Sequence, residues 1–361
     1  MSTSIRRRFS AVVGVMLVAA LLPAALSGFQ LQQVSIAISY AIAILGLNLL
    51  MGFAGQICLA QGTLFGVGAY VTAILNATYG VHPLATLPAA AVLTALAGLV
   101  VGLPALRLQG LQLAIITFGV AAAFPQLLLK LGSWTGGVSG LPIDSLEPPE
   151  FLADVPELWL YLISVGCAGV AALIVGLVLI GDVGRAVRAQ RDNAQIAEAL
   201  GVNLTKTKLW AFAISSALAG LGGGVFAILN GFISPQSFLA PLSITIVIGS
   251  IVGGSTSIIG AFVGGLFITF VPTWTSNVNL ALGNVIYALA LIGIMLLARG
   301  GVAGLLERFT AALTRGPTPT PKLDQPANQG GIHETRSKFA QDADDGGDDF
   351  IGRRYRLGEG R

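Results

Sequence analysis

The chain has 361 residues, of which 54% are hydrophobic and only 10% charged, with a net charge of +3 and a mean hydropathy of +0.81. A water-soluble domain carries roughly 25% charged residues, so this composition excludes an ordinary soluble enzyme and places the chain among polytopic membrane proteins. Two cysteines, Cys58 and Cys167, give no disulfide framework and no metal spacing; both read as small packing residues.

Arg6, Arg7 and Arg8 precede an apolar run from Phe9 to about Gly28. That run is close to the roughly 20 residues of a span and reads as a first transmembrane helix; a signal peptide ending at Ala24–Ser27 is the alternative. Further apolar runs follow at about 34–53, 62–77, 84–106, 111–131, 158–181, 209–231, 242–258, 259–276 and 282–298, ten in all with the first. Gly249, Gly253 and Gly254 interrupt the run at 242–258, which leaves nine full spans as the alternative. The expected fold class is therefore an all-α polytopic membrane protein.

Charge gives an expected orientation. With the N-terminus inside, residues 1–8, Arg107, the whole 182–208 loop, Arg299, Arg308 and Arg315 all fall on the cytoplasmic side, and Lys130 is the one basic residue left outside. The outer loop at 132–157 is acidic, with Asp144, Glu147, Glu150, Asp154 and Glu157. Such an asymmetry of Lys and Arg is the positive-inside signal. The expected division is a short cytoplasmic N-terminus, a transmembrane domain at 9–315 and a Pro-rich, then acidic, disordered cytoplasmic tail at 316–361.

Three features break the apolar pattern. Gly52, Gly55, Gln56 and Gln61 lie in a Gly- and amide-rich stretch between two spans; either it lines a solute path or inner gate, or it is a tight helix-to-helix turn. Four pairs of glycines four residues apart, Gly62/Gly66, Gly220/Gly224, Gly249/Gly253 and Gly260/Gly264, make flat faces for close helix crossings. The third feature is the charged segment Gly184–Gly201, with Arg185, Arg188, Arg191, Asp192 and Glu198, followed by Lys206 and Lys208. From Leu209 to Ala298 there is then no ionisable Asp, Glu, Lys or Arg. Periodicity predicts one short helix over 184–200, with Arg185, Arg188 and Asp192 along one strip and Gly201 as a left-handed cap. A membrane-surface helix, a solvated loop and a helix held by a cytoplasmic motor subunit all fit it.

The chain has no Gly-rich loop ending in Gly-Lys-Ser/Thr for ATP. His82 and His333 are far apart, and neither a metal site nor a catalytic group is expected. The spans lack the intramembrane carboxylate or histidine of a proton-coupled carrier, while sodium coupling stays open.

The stretch GRAVRAQRDNAQIAEALGVNLTKTKLWAFAISSALAGLGGGVFA from Gly184 resembles the coupling region of ABC importer permeases, most closely the branched-chain amino-acid (LIV-type) permease family. GFAGQICLAQGTLFGVGAYVTAIL at 52–75, WTGGVSGLP at 134–142, and ISPQSF at 233–238 with the Gly-rich run after it resemble further segments of that family in the family's order. The likeness covers roughly 34–300. It departs at the coupling motif, where this chain has Gln195, Ile196 and Ala197 in place of Glu-Ala-Ala, and Ala194 where Glu is common. The tail has no counterpart.

The resemblance implies a multi-pass subunit of a prokaryotic inner (plasma) membrane with no cofactor of its own. Partners would be ABC ATPase subunits, a second permease chain and an extracytoplasmic solute-binding protein. It implies coupling through Arg185, Arg188, Arg191, Asp192, Glu198 and Gly201, and solute passage near Gly52, Gly55, Gln56 and Gln61. Branched-chain amino acids are the expected solute; urea, amides and other amino acids are the same-family alternatives. A secondary transporter working without an ATPase is a separate class, and a membrane scaffold with no uptake role is a third.

Overall fold

The computed structural model describes residues 27–108, 110–150 and 155–278, with short pieces between 288 and 304. The run at 9–28 apart from its last two residues, most of the run at 282–298, and the tail at 316–361 lie outside the described residues. The described chain is helical: α1 (Gly28–Asn48), α2 (Gln61–Tyr79), α3 (Pro83–Gly102), α4 (Leu111–Lys130), α5 (Pro156–Ile180), α6 (Asp182–Asp192), α7 (Ala194–Ala199), α8 (Leu204–Asn230), α9 (Ala240–Gly253) and α10 (Ile258–Val278). Eight of these, all but α6 and α7, fall on the eight apolar runs between 34 and 276. Five are long and apolar enough to cross a membrane: α1 with its extension, α3, α4, α5 and α8.

α8 is the axis of the bundle, packed along α1, α2 and α3. Its glycines make this possible. A Cβ on Gly222 would meet the Ser39 carbonyl of α1, one on Gly223 the Phe65 carbonyl of α2, and one on Gly220 the Thr94 side chain of α3. Without side chains between them the backbones come into direct contact, which is how helices associate where no water drives burial. The expected Gly220/Gly224 face is therefore a crossing point, with Gly224 against Leu87 and Thr72.

α2 is apolar yet not among the five. It carries Gln61, Thr63, Thr72 and Asn76, all buried. α3, α8 and α9 pack against it, so it answers to protein rather than to lipid. α3, α4 and α5 by contrast expose rows of large apolar side chains, among them Val100, Ile115 and Leu177.

The interrupted run at 242–258 becomes α9, 14 residues long. At 1.5 Å per residue that is about 21 Å, short of the roughly 30 Å hydrocarbon core. Gly254 ends it at φ +108. α10 then folds back against α9, and the two predicted glycine pairs face each other: Gly249 meets Gly264 and Gly253 meets Gly260, backbone on backbone.

At the opposite end, two segments far apart in sequence pair as a minimal antiparallel ladder. β1 (Leu141–Pro142) pairs with β2 (Phe232–Ile233), Leu141 opposite Ile233. Gly140, at φ +70, has no room for a Cβ beside the Ile233 carbonyl. Asn76 at the end of α2 fixes the same loop, donating to Asp144 Oδ2 (3.2 Å) and accepting from the Asp144 backbone N–H (2.8 Å). Below it, Tyr40, Phe65, Tyr70, Phe226 and Phe238 form one aromatic cluster with centroid separations of 5.3–6.4 Å.

Replacing Gly264 with Ala is expected to lower stability by about 1–3 kcal/mol through overpacking against the Gly249 carbonyl. Gly119→Ala, at a helix position with open space around it, is expected to be neutral or slightly stabilising. Thermal unfolding of the two purified variants in one detergent checks the contrast.

Candidate functional site

The charged segment is two helices and not one. Asn193 breaks the expected run with extended backbone (φ −158, ψ 106). Its side-chain carbonyl accepts from the backbone N–H groups of Gln195 (3.0 Å) and Ile196 (3.1 Å), so it N-caps α7. An Asn that can satisfy two first-turn amides favours a new helix start over helix continuation. Gly201 closes α7 as expected, at φ +87. Its N–H reaches the Glu198 carbonyl (2.9 Å) and the Val202 N–H reaches the Ala197 carbonyl (3.0 Å). This is the paired bonding of a Schellman motif, which requires the left-handed residue that glycine supplies.

The three arginines of α6 do different things. Arg185 pairs with Asp182 in the one ion pair among the described residues, with both side chains largely exposed. Such a pair is worth little to stability. Arg188 donates to the carbonyls of Gly184 (3.1 Å) and Leu179 (2.9 Å). It thus joins α6 to the C-terminal carbonyls of α5, where a cation is favoured. Arg191 donates to the Gly52 carbonyl, and its Cγ lies 3.1 Å from where a Cβ on Gly55 would stand. Gly55 is at φ +67. Asp192 and Glu198 are exposed, as are Ile196 (59%) and Leu200 (79%) on α7. α6 and α7 thus present charge and two large apolar side chains outward, while Val187 and Ala197 face in.

The Arg191 contact joins the charged segment to the Gly52–Gly62 stretch, 139 residues away in the chain. After α1 the chain widens into a π turn, Leu49–Phe53, a distortion common at functional positions. Residues 54–60 then run without regular structure into the bundle. The Gln61 amide donates to the Ala43 carbonyl (3.0 Å) and the Ser215 carbonyl (3.4 Å). Ser215 is roughly 16 Å along α8 from its start at 1.5 Å per residue. α2 therefore begins deep inside, and the Gly52–Gly62 stretch is more than a surface turn. Irregular backbone at such depth is tolerated only where protein or a polar cavity covers it.

Within this stretch the two glutamines differ. Gln61 is fully buried, held by α1 and α8. Gln56 is also buried, but its Oε1 has no hydrogen-bond partner among the described residues. Gly52 is buried against Ser255 of the α9–α10 turn. That turn is fixed by Asn48, which donates to the Ser257 carbonyl (3.1 Å) and accepts from Ser250 Oγ (2.6 Å). Lys208 Nζ bonds the Ala105 carbonyl (3.3 Å). The Arg107 turn, the 182–208 segment, Gly52 and the α9–α10 turn therefore share one end of the bundle. His82, at the other end, is exposed and caps α3.

Asn193, Asp182 and Asn76 are structural residues that the sequence reading did not single out. Asn193 carried a signal, an Asn directly before a short Ala-rich run, but the helical periodicity on either side masked it. Asp182 carried a local signal too, its i,i+3 spacing from Arg185, whereas Asn76 acts through Asp144, 68 residues away, which no local pattern shows.

The family model described as "Branched-chain amino acid transport system / permease component" matches residues 29–299. The chain is similar to the high-affinity branched-chain amino acid transport system permease protein LivM of Salmonella typhimurium, at 34% identity over 241 residues, 60% of this chain and 57% of the relative. LivM of Escherichia coli K12 is 31% identical over 269 residues, 68% of this chain and 63% of that one. The chain thus spans less than two thirds of the length of these LivM proteins. The autoinducer 2 import system permease protein LsrC of an Enterobacter species is 31% identical over 340 residues, covering 90% of this chain and 92% of LsrC. No solved structure matches.

Asn193→Ala is expected to cost the α7 turn about 1 kcal/mol. The faster amide exchange should be confined to Gln195, Ile196 and their neighbours, read by hydrogen–deuterium exchange on the purified chain.

Proposed function

We propose, since this chain belongs to the branched-chain amino acid transport permease family, that it is the transmembrane permease subunit of an ABC importer. It would move branched-chain amino acids, or a related small solute, into the cytoplasm. Separate ATPase subunits would drive it through α6 and α7. The observation that carries this reading is the form of α7: a capped, closed helix with Ile196 and Leu200 bare at its surface. A helix of six residues does not hold itself together in water, and exposed large apolar side chains on it are suited to a cleft in a partner.

In this reading the chain performs no covalent chemistry and holds no cofactor. About ten spans cross a prokaryotic inner membrane, both termini are cytoplasmic, the permease domain covers 9–315, and 316–361 is a cytoplasmic tail. Arg185, Asp192 and Glu198 face the motor from the solvent side. Arg188 ties the motor-bound helix to α5, Arg191 ties it to the Gly52–Gly62 stretch, and Gly201 closes it. The solute passes beside that stretch, where the Gln56 side-chain carbonyl oxygen has no hydrogen-bond partner among the described residues and Gln61 holds the start of α2 in place. A second permease chain and an extracytoplasmic binding protein complete the importer.

A second solute reading rests on the LsrC relative, which aligns over nearly its whole length; the solute would then be of the kind that protein's name gives. Uptake of labelled leucine and of autoinducer 2 by cells expressing the complete transporter separates the two.

Ile196→Glu with Leu200→Glu is expected to reduce uptake at least about tenfold, as expected for loss of central apolar anchors, and to release the ATPase from the purified complex while the chain still inserts. Undiminished uptake by this double variant would overturn the coupling assignment.

A further inference from the structure

Beside the coupling helix lies a cleft that the transport reading does not use. It has a volume of about 460 Å³ and runs between one face of α6 and the start of α8. Asp182, Val183, Arg185, Ala186 and Ala189 line it from α6; Val202, Asn203, Lys206, Thr207 and Trp210 line it from the start of α8 and the residues before it.

Its depth in the membrane follows from its neighbours. α5, a membrane-length helix, ends at Ile180, two residues before Asp182; α8, another, begins at Leu204. The cleft therefore opens where spans leave the hydrocarbon, at the level of the lipid headgroups. Trp210 is 58% exposed on its rim, and tryptophan with one apolar and one polar edge favours that level. The walls are mostly apolar, and the cations Arg185 and Lys206 stand on opposite sides. The one carboxylate, Asp182, is already paired with Arg185, so the charge left over is positive. The Asn203 side chain is engaged by the Lys206 backbone N–H (3.0 Å) and the Thr207 hydroxyl by the Asn203 carbonyl (2.9 Å). Lys206 Nζ is the group left to meet an anion.

We propose that this cleft is a binding site for an anionic phospholipid, with Lys206 on the headgroup phosphate and Trp210 against the glycerol region. Basic pockets between spans at the cytoplasmic face take anionic headgroups for this reason: low-dielectric walls strengthen the charge interaction while the acyl chains stay in the bilayer. α7, which presents Ile196 and Leu200, does not line the cleft. A lipid there would brace α6 against α8 while leaving Ile196 and Leu200 free.

The test uses the full chain, purified, delipidated and offered phosphatidylglycerol or phosphatidylcholine, with retained lipid counted by native mass spectrometry. Phosphatidylglycerol is expected to be retained in preference. Lys206→Glu should weaken its retention by about fivefold or more, the equivalent of roughly 1 kcal/mol per cation. Trp210→Ala should also weaken it, and Lys206→Arg should keep it. None of these residues carries the coupling assignment, so uptake reports on that reading separately. Equal retention of the two lipids, or retention unchanged in Lys206→Glu and Trp210→Ala, would overturn the proposal. Displacement of the lipid by millimolar inorganic phosphate would overturn it in favour of a free-anion site. Protection of Lys206 from an amine reagent by the ATPase, and not by phosphatidylglycerol, would overturn it in favour of a protein contact.

Discussion

The close approach of backbones at glycine is the constraint on which the bundle depends. In a bilayer, apolar side chains gain nothing by leaving lipid for protein, so helices must find cohesion in contact itself. Gly220, Gly222, Gly223 and Gly224 let α8 touch α1, α2 and α3 at once, and Gly249, Gly253, Gly260 and Gly264 do the same for α9 and α10. Polar anchors then fix the register. Gln61 holds α2 to α1 and α8, and Asn48 holds α1 to the α9–α10 turn. With those crossings set, the irregular stretch at 54–60 can be enclosed by protein at a depth where lipid would not tolerate it.

The charged segment of α6 and α7 is built on this frame without being part of its interior. α6 is tied at both ends to elements that traverse the bundle: through Arg188 to the end of α5, and through Arg191 to the π turn that ends α1. Among the described residues α7 has no such ties. It is closed by its own cap and its own Schellman turn. One helix is thus fastened to the membrane domain and the next is free to be held from outside.

Much of this was legible in the chain, and the reasons divide cleanly. The apolar runs between 34 and 276, the glycine pairs of α8, α9 and α10 and the left-handed Gly201 are local properties, and the structure carries these as expected. The break at Asn193 was partly legible: the capping residue was visible, but Ala-rich periodicity on both sides suggested continuity. Other features rest on partners distant in sequence. The pairing of Leu141 with Ile233 brings together two of the motifs that carried the family likeness, yet a two-residue ladder has no strand pattern to read. That Gly249/Gly253 and Gly260/Gly264 face each other needed the turn at Gly254 to be known. The different fates of Gln56 and Gln61 depend on which carbonyls stand nearby in space.

Cohesion through backbone contact also bears on how the bundle responds to temperature. A soluble core is held chiefly by the release of water, and that force fades on cooling. Where Gly223 meets the Phe65 carbonyl and Gly264 meets the Gly249 carbonyl, the attraction is dispersion and weak Cα–H···O bonding. These are enthalpic and do not weaken as water orders. Cold should therefore leave the central crossings of α8 and α9 tight, and what stiffens first in a chilled membrane is the lipid around α3, α4 and α5.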